Sequence, residues 1–485
     1  MLSPFITIKE LREKIDKKEI SREEVIKFYL ERIKKHNGSL NAVLESFQDS
    51  SQLCHPELDS GSNGILAGVP YILKDNICQK GKIASAGSKI LSNYKAPYDA
   101  TVNKRLKKAG GVSIGRANCD EFAMGGSGEY SAYGPTRNPW DVTRVSGGSS
   151  SGPGASVAAG LVPFALGTET GGSVRNPASF CNLVGLYPTY GLHSRFGAMA
   201  FCSSFDQVGP ITRTVYDNAL VTTALSGKDP KDSTTIQMQP KDYTKNLDGK
   251  LPANLKIGII KDALGEGVDP QVRLAFDGAI EHLKKLGATV KVIDLPHLKY
   301  GNAVYFIISR AEAASNLSRY DGSLYGLRTK ESQNLFDMYI KTRQEGFGYE
   351  VKNRILTGNY VLSAGHKDAY YNKAQAVREM IRADFDSAFK DVDVLTSPTI
   401  SILPFKVGEL SFDPVAMYLA DIFTVPNCAI GTPGISIPCG FSKENLPIGV
   451  QFLGPRLSEE LLFKVAYAFE QSTDYHLKYP KNYEQ

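Results

Sequence analysis

Val145-Ser-Gly-Gly-Ser-Ser-Ser-Gly152 and Leu166-Gly-Thr-Glu-Thr-Gly-Gly-Ser-Val-Arg-Asn-Pro177 are two glycine- and serine-dense segments lying close together in the chain. Each offers hydroxyls and backbone N–H groups that no Cβ shields, and the amides around Thr170–Ser173 can form a nest for an anion. An acyl-transfer oxyanion needs such donors. Three readings compete. A phosphate-binding loop requires GxxxxGK[ST], and neither segment contains a lysine. Gly148-Ser-Ser150-Ser-Gly152 satisfies GxSxG, the nucleophile elbow, which needs a strand immediately before it and an Asp and a His downstream. The preceding Asn138-Pro-Trp-Asp-Val-Thr reads as a turn, and no downstream histidine has a supporting context. The third reading is a purely structural glycine-rich loop.

Working outward, Val69–Leu73 and Gly111–Ile114 read as buried strands flanking a basic helix around Thr101–Ala109, with Lys104, Arg105, Lys107 and Lys108 as its solvated face. Toward the N-terminus, Thr7 with Glu10 and Ser21 with Glu24 are capping boxes opening two helices within residues 7–36. Val25, Phe28, Tyr29 and Ile33 give the second helix a core-facing stripe. Residues 50–64 are polar and without period, and read as a variable loop.

Residues 115–215 are glycine- and serine-dense throughout. Beyond them, Leu255–Ile260, a helix over Pro270–Leu286 and Thr289–Ile293 form a βαβ-like unit. Asp269 suits its N-cap, Pro270 its first turn and Gly287 its stop. Val272, Phe276, Leu283 and Leu286 form the stripe that faces the sheet. An interrupted helical stretch covers Ala311 to Phe389, and strands near Val392–Leu395, Gly434–Pro438 and Pro447–Leu453 close the chain. The expected fold is α/β: a large mixed β-sheet core covered by α-helices, in one domain over residues 1–485.

Composition narrows the function. With 42% hydrophobic and 22% charged residues the chain is globular in type. Fifty-six basic against 51 acidic residues, a net +5, is too mild over this length to indicate nucleic-acid binding. Seven scattered cysteines without a CxxC pair fit a reducing compartment, and seven histidines without HExxH speak against a metal site. The start, Met1 to Lys9, lacks the pattern of a secretory leader, and no apolar run approaches the roughly 18–20 residues of a membrane helix. A cytoplasmic protein is expected.

The two loops together resemble the amidase signature family, whose GGSS(S/G)G loop is followed 24 residues later by the serine of G-T-(D/E)-x-G-G-S-(I/V)-R; Ser149 and Ser173 stand at that separation. Gly68-Val-Pro-Tyr-Ile-Leu-Lys74-Asp-Asn matches the family's strand ending in its catalytic lysine. The resemblance runs over nearly the whole chain. It implies the amidase signature fold, Ser173 as nucleophile, Ser149 as proton relay preceded by a cis peptide at Gly148, and Lys74 as base. It also implies an oxyanion hole from the N–H groups of Thr170, Gly171, Gly172 and Ser173. A serine hydroxyl needs a base, and a lysine base must be neutral. Bringing a lysine from about 10.4 to about 7.4 disfavours its charge by roughly 4 kcal/mol, a shift that burial can supply. Arg175 reads as a structural ion-pair residue.

Within the family, Asp120-Glu-Phe-Ala-Met-Gly125, Ser131-Ala-Tyr-Gly-Pro-Thr-Arg-Asn-Pro-Trp140, Ser318-Arg-Tyr-Asp-Gly322 and Gly346-Phe-Gly-Tyr-Glu-Val351 resemble the A subunits of bacterial aspartyl/glutamyl-tRNA(Asn/Gln) amidotransferases. That branch implies glutamine as substrate, with Arg354 for its carboxylate, Asp421 for its ammonium and Tyr305 in the pocket. It implies a heterotrimer with a small C subunit and a kinase-type B subunit. ATP and Mg belong to the partner, charged tRNA is held mainly through it, and this chain itself carries no cofactor. The chain departs from the branch at Asn353, at Gly126 and along residues 50–64. A stand-alone amidase acting on small amides would use the same triad, and a non-enzymatic scaffold would not need it.

Overall fold

Thr7 and Ser21 cap the first two helices as the sequence dictates: each side chain accepts from the N–H three residues on, and Glu10 and Glu24 reciprocate. The helices span Ile8–Asp16 and Arg22–Leu40, the second running past the expected end, and Val25, Tyr29 and Ile33 are buried. The structure is a computed structural model and describes residues 2–47, 64–410 and 420–484. All but the last residue of the 50–64 loop therefore lies outside the described residues.

The core is an eleven-stranded sheet among the described residues. From edge to edge its strands are Val43–Ser46, Val112–Ala117, Pro70–Lys74, Phe164–Glu169, Gln207–Thr212, Val184–Tyr187, Gly434–Phe441, Pro447–Leu453, Val394–Pro398, Lys256–Ile260 and Thr289–Ile293. Pairing is mixed. Pro70–Lys74 runs parallel to both neighbours, and the strands from Gln207–Thr212 to Pro447–Leu453 are antiparallel to theirs. The last three strands return to parallel pairing. Helices cover the sheet, and the central strands are buried at every position, so they lack the alternation of a half-exposed strand.

The expected βαβ unit forms: Lys256–Ile260 and Thr289–Ile293 pair in parallel, joined through the helix Pro270–Lys285, which Asp269 caps. Val272, Phe276 and Leu283 face the core, whereas Leu286, just beyond the helix, is 37% exposed. The long helical stretch begins earlier than expected, with Gly301–Asn316, followed by Leu335–Gly346, Tyr349–Leu362 and Lys373–Ala388. On the basic helix Thr101–Lys108, Arg105 is not solvated; its guanidinium donates to the carbonyls of Leu225, Gly227 and Lys228, while the three lysines are exposed. Among the described residues no helix is long and apolar enough to cross a membrane, and no group of three or more His, Cys, Asp or Glu could hold a metal ion.

Candidate active site

Pro70–Lys74 is buried at every position, and its last residue carries an amine into the middle of the molecule. Lys74 is wholly buried, and its Nζ donates to Ser149 Oγ at 2.7 Å, Thr168 Oγ1 at 3.0 Å and the Thr168 carbonyl at 3.1 Å. Thr168 reaches it because Phe164–Glu169 pairs in parallel with Lys74's own strand. Asn76 Nδ2 donates to the same Thr168 hydroxyl at 2.9 Å. Burial lowers the Lys74 pKa to about 8, against the pull of Cys119, Asp120, Asp206 and Glu169 in the opposite direction. A buried amine that loses its proton near pH 8 can act as a base.

Ser149 is delivered by a tight turn. The Gly148–Ser149 peptide is cis, as the resemblance implies. Gly148 N–H donates to the Gly126 carbonyl at 2.8 Å, and the Ser149 carbonyl accepts from Asp120 N–H at 3.2 Å. A Cβ on Gly148 would collide with the Asp120 carboxylate, so the turn tolerates only glycine there. Asp120 in turn accepts from the N–H groups of Gly128 and Tyr130, and burial raises its pKa to about 6.

The residues before this turn are not simply a turn. Asp141–Val145 is a strand paired with Arg137–Asn138, so Pro139 and Trp140 make only the reversal of a short hairpin. A strand thus precedes GxSxG and the helix Ser151–Ala158 follows it. The central Ser150 is nevertheless bound into the sheet: its hydroxyl donates to the Thr168 carbonyl at 3.1 Å and accepts from Thr168 N–H at 3.2 Å. Ser150 makes no hydrogen bond to a histidine among the described residues.

The second loop is shaped from below by Glu169. Its carboxylate accepts the N–H groups of Val174 and Arg175, both at 2.9 Å, and pairs with the fully buried Arg175 guanidinium. Arg175 also donates to Gln451 Oε1 and the Thr424 carbonyl, which supports the structural reading of this residue. With the chain so fixed, the backbone N–H groups of Thr170, Gly171, Gly172 and Ser173 donate to no group among the described residues, although all four residues are buried. Four adjacent unpaired donors are thus left available to an anion. Gly172 has φ +141, and a Cβ on it would collide with Thr424 Oγ1; one on Gly171 would press on the Tyr305 ring. The Ser173 carbonyl accepts from Ser150 N–H at 3.1 Å, while its hydroxyl makes no hydrogen bond among the described residues.

Of Tyr305, Arg354 and Asp421, the structure sets Tyr305 and Asp421 beside this loop. The Tyr305 ring packs against Gly171, and Asp421 receives a hydrogen bond from Asn176 Nδ2 at 3.2 Å, close to Gly172. Burial raises the Asp421 pKa to about 7, and the Arg354 charge acts in the opposite sense. Arg354 pairs with Glu350 at 2.6 Å and lies over the Phe201 ring at 5.3 Å. Of the departures, the Gly126 carbonyl holds Gly148 and Asn176, whereas Asn353 is exposed. Sequence reading missed Thr168, Asn76, Asp120, Asn176 and Asp206, the last accepting from Thr170 Oγ1 at 2.7 Å. Thr168, Asn76 and Asp206 also line a cavity of about 180 Å³ with Arg195, Phe201 and Lys231.

The family model for amidases matches residues 24–463. The chain is similar, at 48% identity over 482 residues, to the A subunit of glutamyl-tRNA(Gln) amidotransferase from Trichormus variabilis, covering 98% of this chain and 99% of that one. The protein of the same name from a Geobacillus species is 49% identical over 479 residues, covering 98% of both. Among solved structures, the A subunit of glutamyl-tRNA(Gln) amidotransferase from Thermotoga maritima superposes with a TM-score of 0.82 at 39% identity, over 98% of this chain and 96% of that one. A 6-aminohexanoate cyclic dimer hydrolase superposes with a TM-score of 0.86 at 26% identity, over 99% of both.

Proposed function

The chain belongs to the amidase family, and from that premise we propose that it is the glutamine-hydrolysing A subunit of a glutamyl-tRNA(Gln) amidotransferase. The observation that carries the chemistry is the buried Lys74 amine 2.7 Å from Ser149 Oγ, beside four unpaired N–H donors at residues 170–173. The substrate class follows from the relatives, which match the chain along its whole length.

In this reading Ser173 Oγ attacks the carboxamide carbon of glutamine. Its proton passes to Ser149, whose own proton moves to neutral Lys74. The carbonyl oxygen becomes an oxyanion received by the N–H groups of Thr170–Ser173. Collapse breaks the C–N bond, the leaving nitrogen takes a proton back from Lys74 through Ser149, and ammonia departs. Water then attacks the acyl-enzyme by the same proton path and releases glutamate. Arg354 receives the α-carboxylate, Asp421 the α-ammonium, and Tyr305 closes the pocket beside Gly171. Ammonia passes to a kinase-type B subunit that uses ATP and Mg to activate the tRNA-linked glutamate; a small C subunit completes a cytoplasmic heterotrimer.

The test is Ser173→Ala in the assembled complex. Glutamate release and glutamine-dependent transamidation are expected to vanish together, while transamidation driven by added ammonium salt persists. Loss of the ammonium-driven reaction in a correctly assembled variant would refute this division of labour.

A further inference from the structure

Asp120 and Glu121 are consecutive residues that reach two different parts of the site. Asp120 N–H holds the Ser149 carbonyl. Glu121 is 2% exposed, and its carboxylate accepts Gly348 N–H at 2.8 Å and the Ser88 hydroxyl. Gly348 is the N-cap of the helix Tyr349–Leu362, which has no side-chain cap of its own. A Cβ on Gly348 would collide with the Glu121 carboxylate, so glycine is what allows the helix end to come this close. The Ser88 hydroxyl also lies 3.3 Å from the Gly346 carbonyl, which ties down the link from the preceding helix. A carboxyl oxygen at this position satisfies an orphan N–H at the start of the helix, and burial raises the Glu121 pKa to about 7.

The helix so anchored carries Arg354 one and a half turns further on, held by Glu350. At Gly358 a Cβ would collide with the Arg310 carbonyl, so the helix also lies hard against Gly301–Asn316, which carries Tyr305. Asp120 and Glu121 thus join the Ser149 turn to the helix that bears Arg354. We propose that Glu121 is a positioning residue for substrate recognition, setting the distance between the Arg354 guanidinium and the nucleophile loop by anchoring the N-terminus of the Arg354 helix. This rests on the reading of Arg354 as the partner of the glutamine carboxylate.

The experiment compares glutamine with butyramide, which lacks the α-substituents, in the full chain assembled with its partners. Glu121→Ala is expected to raise the glutamine KM by about tenfold or more, since displacements near an ångström carry effects of this size. Its kcat/KM for butyramide stays within about threefold of the parent. Glu121→Gln, which still accepts from Gly348 N–H, stays close to the parent on both amides. Adding Glu121→Ala to Arg354→Ala raises KM no further. If Glu121→Ala does not fold, Gly348→Ala carries the same expectation, because its Cβ pushes the helix end away from Glu121. Equal losses on both amides, with Arg354→Ala still selective for glutamine, overturn the positioning role alone. An Arg354→Ala variant that is not selective for glutamine overturns the head-group reading, and the role of Glu121 with it.

Discussion

Lys74 Nζ lies 2.7 Å from Ser149 Oγ, and neither side chain is exposed. Burial holds the amine at about 8, so it is mainly protonated at pH 7 and mainly neutral at pH 9. On the proposed mechanism the neutral form is the base, so the chemical step should rise with pH up to about 8 and level off above it. Lys74→Arg should remove the activity as fully as Lys74→Ala, because a guanidinium keeps its proton. The loss expected for either is about 10²–10⁴-fold, the usual range for a positioned base. Single-turnover rates of acyl-enzyme formation between pH 6 and 10 measure this; substantial rate in the arginine variant removes Lys74 from the role.

Thr168→Val tests the setting of that base. The variant keeps the shape of the side chain and the Thr168 carbonyl but withdraws the hydroxyl that accepts from Lys74 at 3.0 Å. The protonated amine loses more than the neutral one, so the Lys74 pKa should fall further. A hydrogen bond to a charged group contributes roughly 1.5–3 kcal/mol, part of which the neutral amine also feels. The acid limb should therefore move down by about one pH unit. A limb that stays in place, or moves up, shows that Thr168 does not set the base.

Arg354→Ala and Asp421→Ala should raise the KM for glutamine far more than they alter turnover of an amide without α-substituents. Asp421 adds a pH signature. With its carboxyl raised to about 7 by burial, the form that pairs with an ammonium grows as pH rises through 7. Glutamine KM should accordingly fall across that range in the parent and lose this dependence in Asp421→Asn. Equal losses on both substrates would mean that these residues support structure only.

Three parts of the expected site were legible through the family resemblance, which rests on short motifs with fixed spacing: the strand ending at Lys74, the Ser149 turn and the Ser173 loop. Three central strands were not. Phe164–Glu169, Val184–Tyr187 and Gln207–Thr212 lie in the glycine-dense region and carry Gly167, Gly185 and Gly209. These glycines read as loop signals, yet each is there for close packing: a Cβ would meet Ser150 at Gly167, Ala178 at Gly185 and the Leu186 carbonyl at Gly209. Strands buried on both faces also lose the alternation that would identify them. The role of Thr168 was hidden for a related reason: it contacts Lys74 across a parallel pairing between segments 94 residues apart, and neither segment alone reveals it.

Dependence on partners is the last expectation, and it separates a complex-bound glutaminase from a stand-alone amidase. Lys74 and Ser149 are in contact in the single chain, but the Ser173 hydroxyl makes no hydrogen bond among the described residues. Of the proposed relay, the Lys74–Ser149 contact is thus made and a contact from Ser149 to Ser173 is not. Misplacement of a nucleophile by about an ångström can cost 10²-fold in rate. Docking of a partner that favours the closed relay by only about 1.4 kcal/mol raises the rate tenfold. The isolated chain should therefore release glutamate from glutamine slowly, with a clear increase when the B and C subunits, ATP and charged tRNA are added. Full rate in the isolated chain, or faster turnover of unrelated amides than of glutamine, would establish the stand-alone amidase instead.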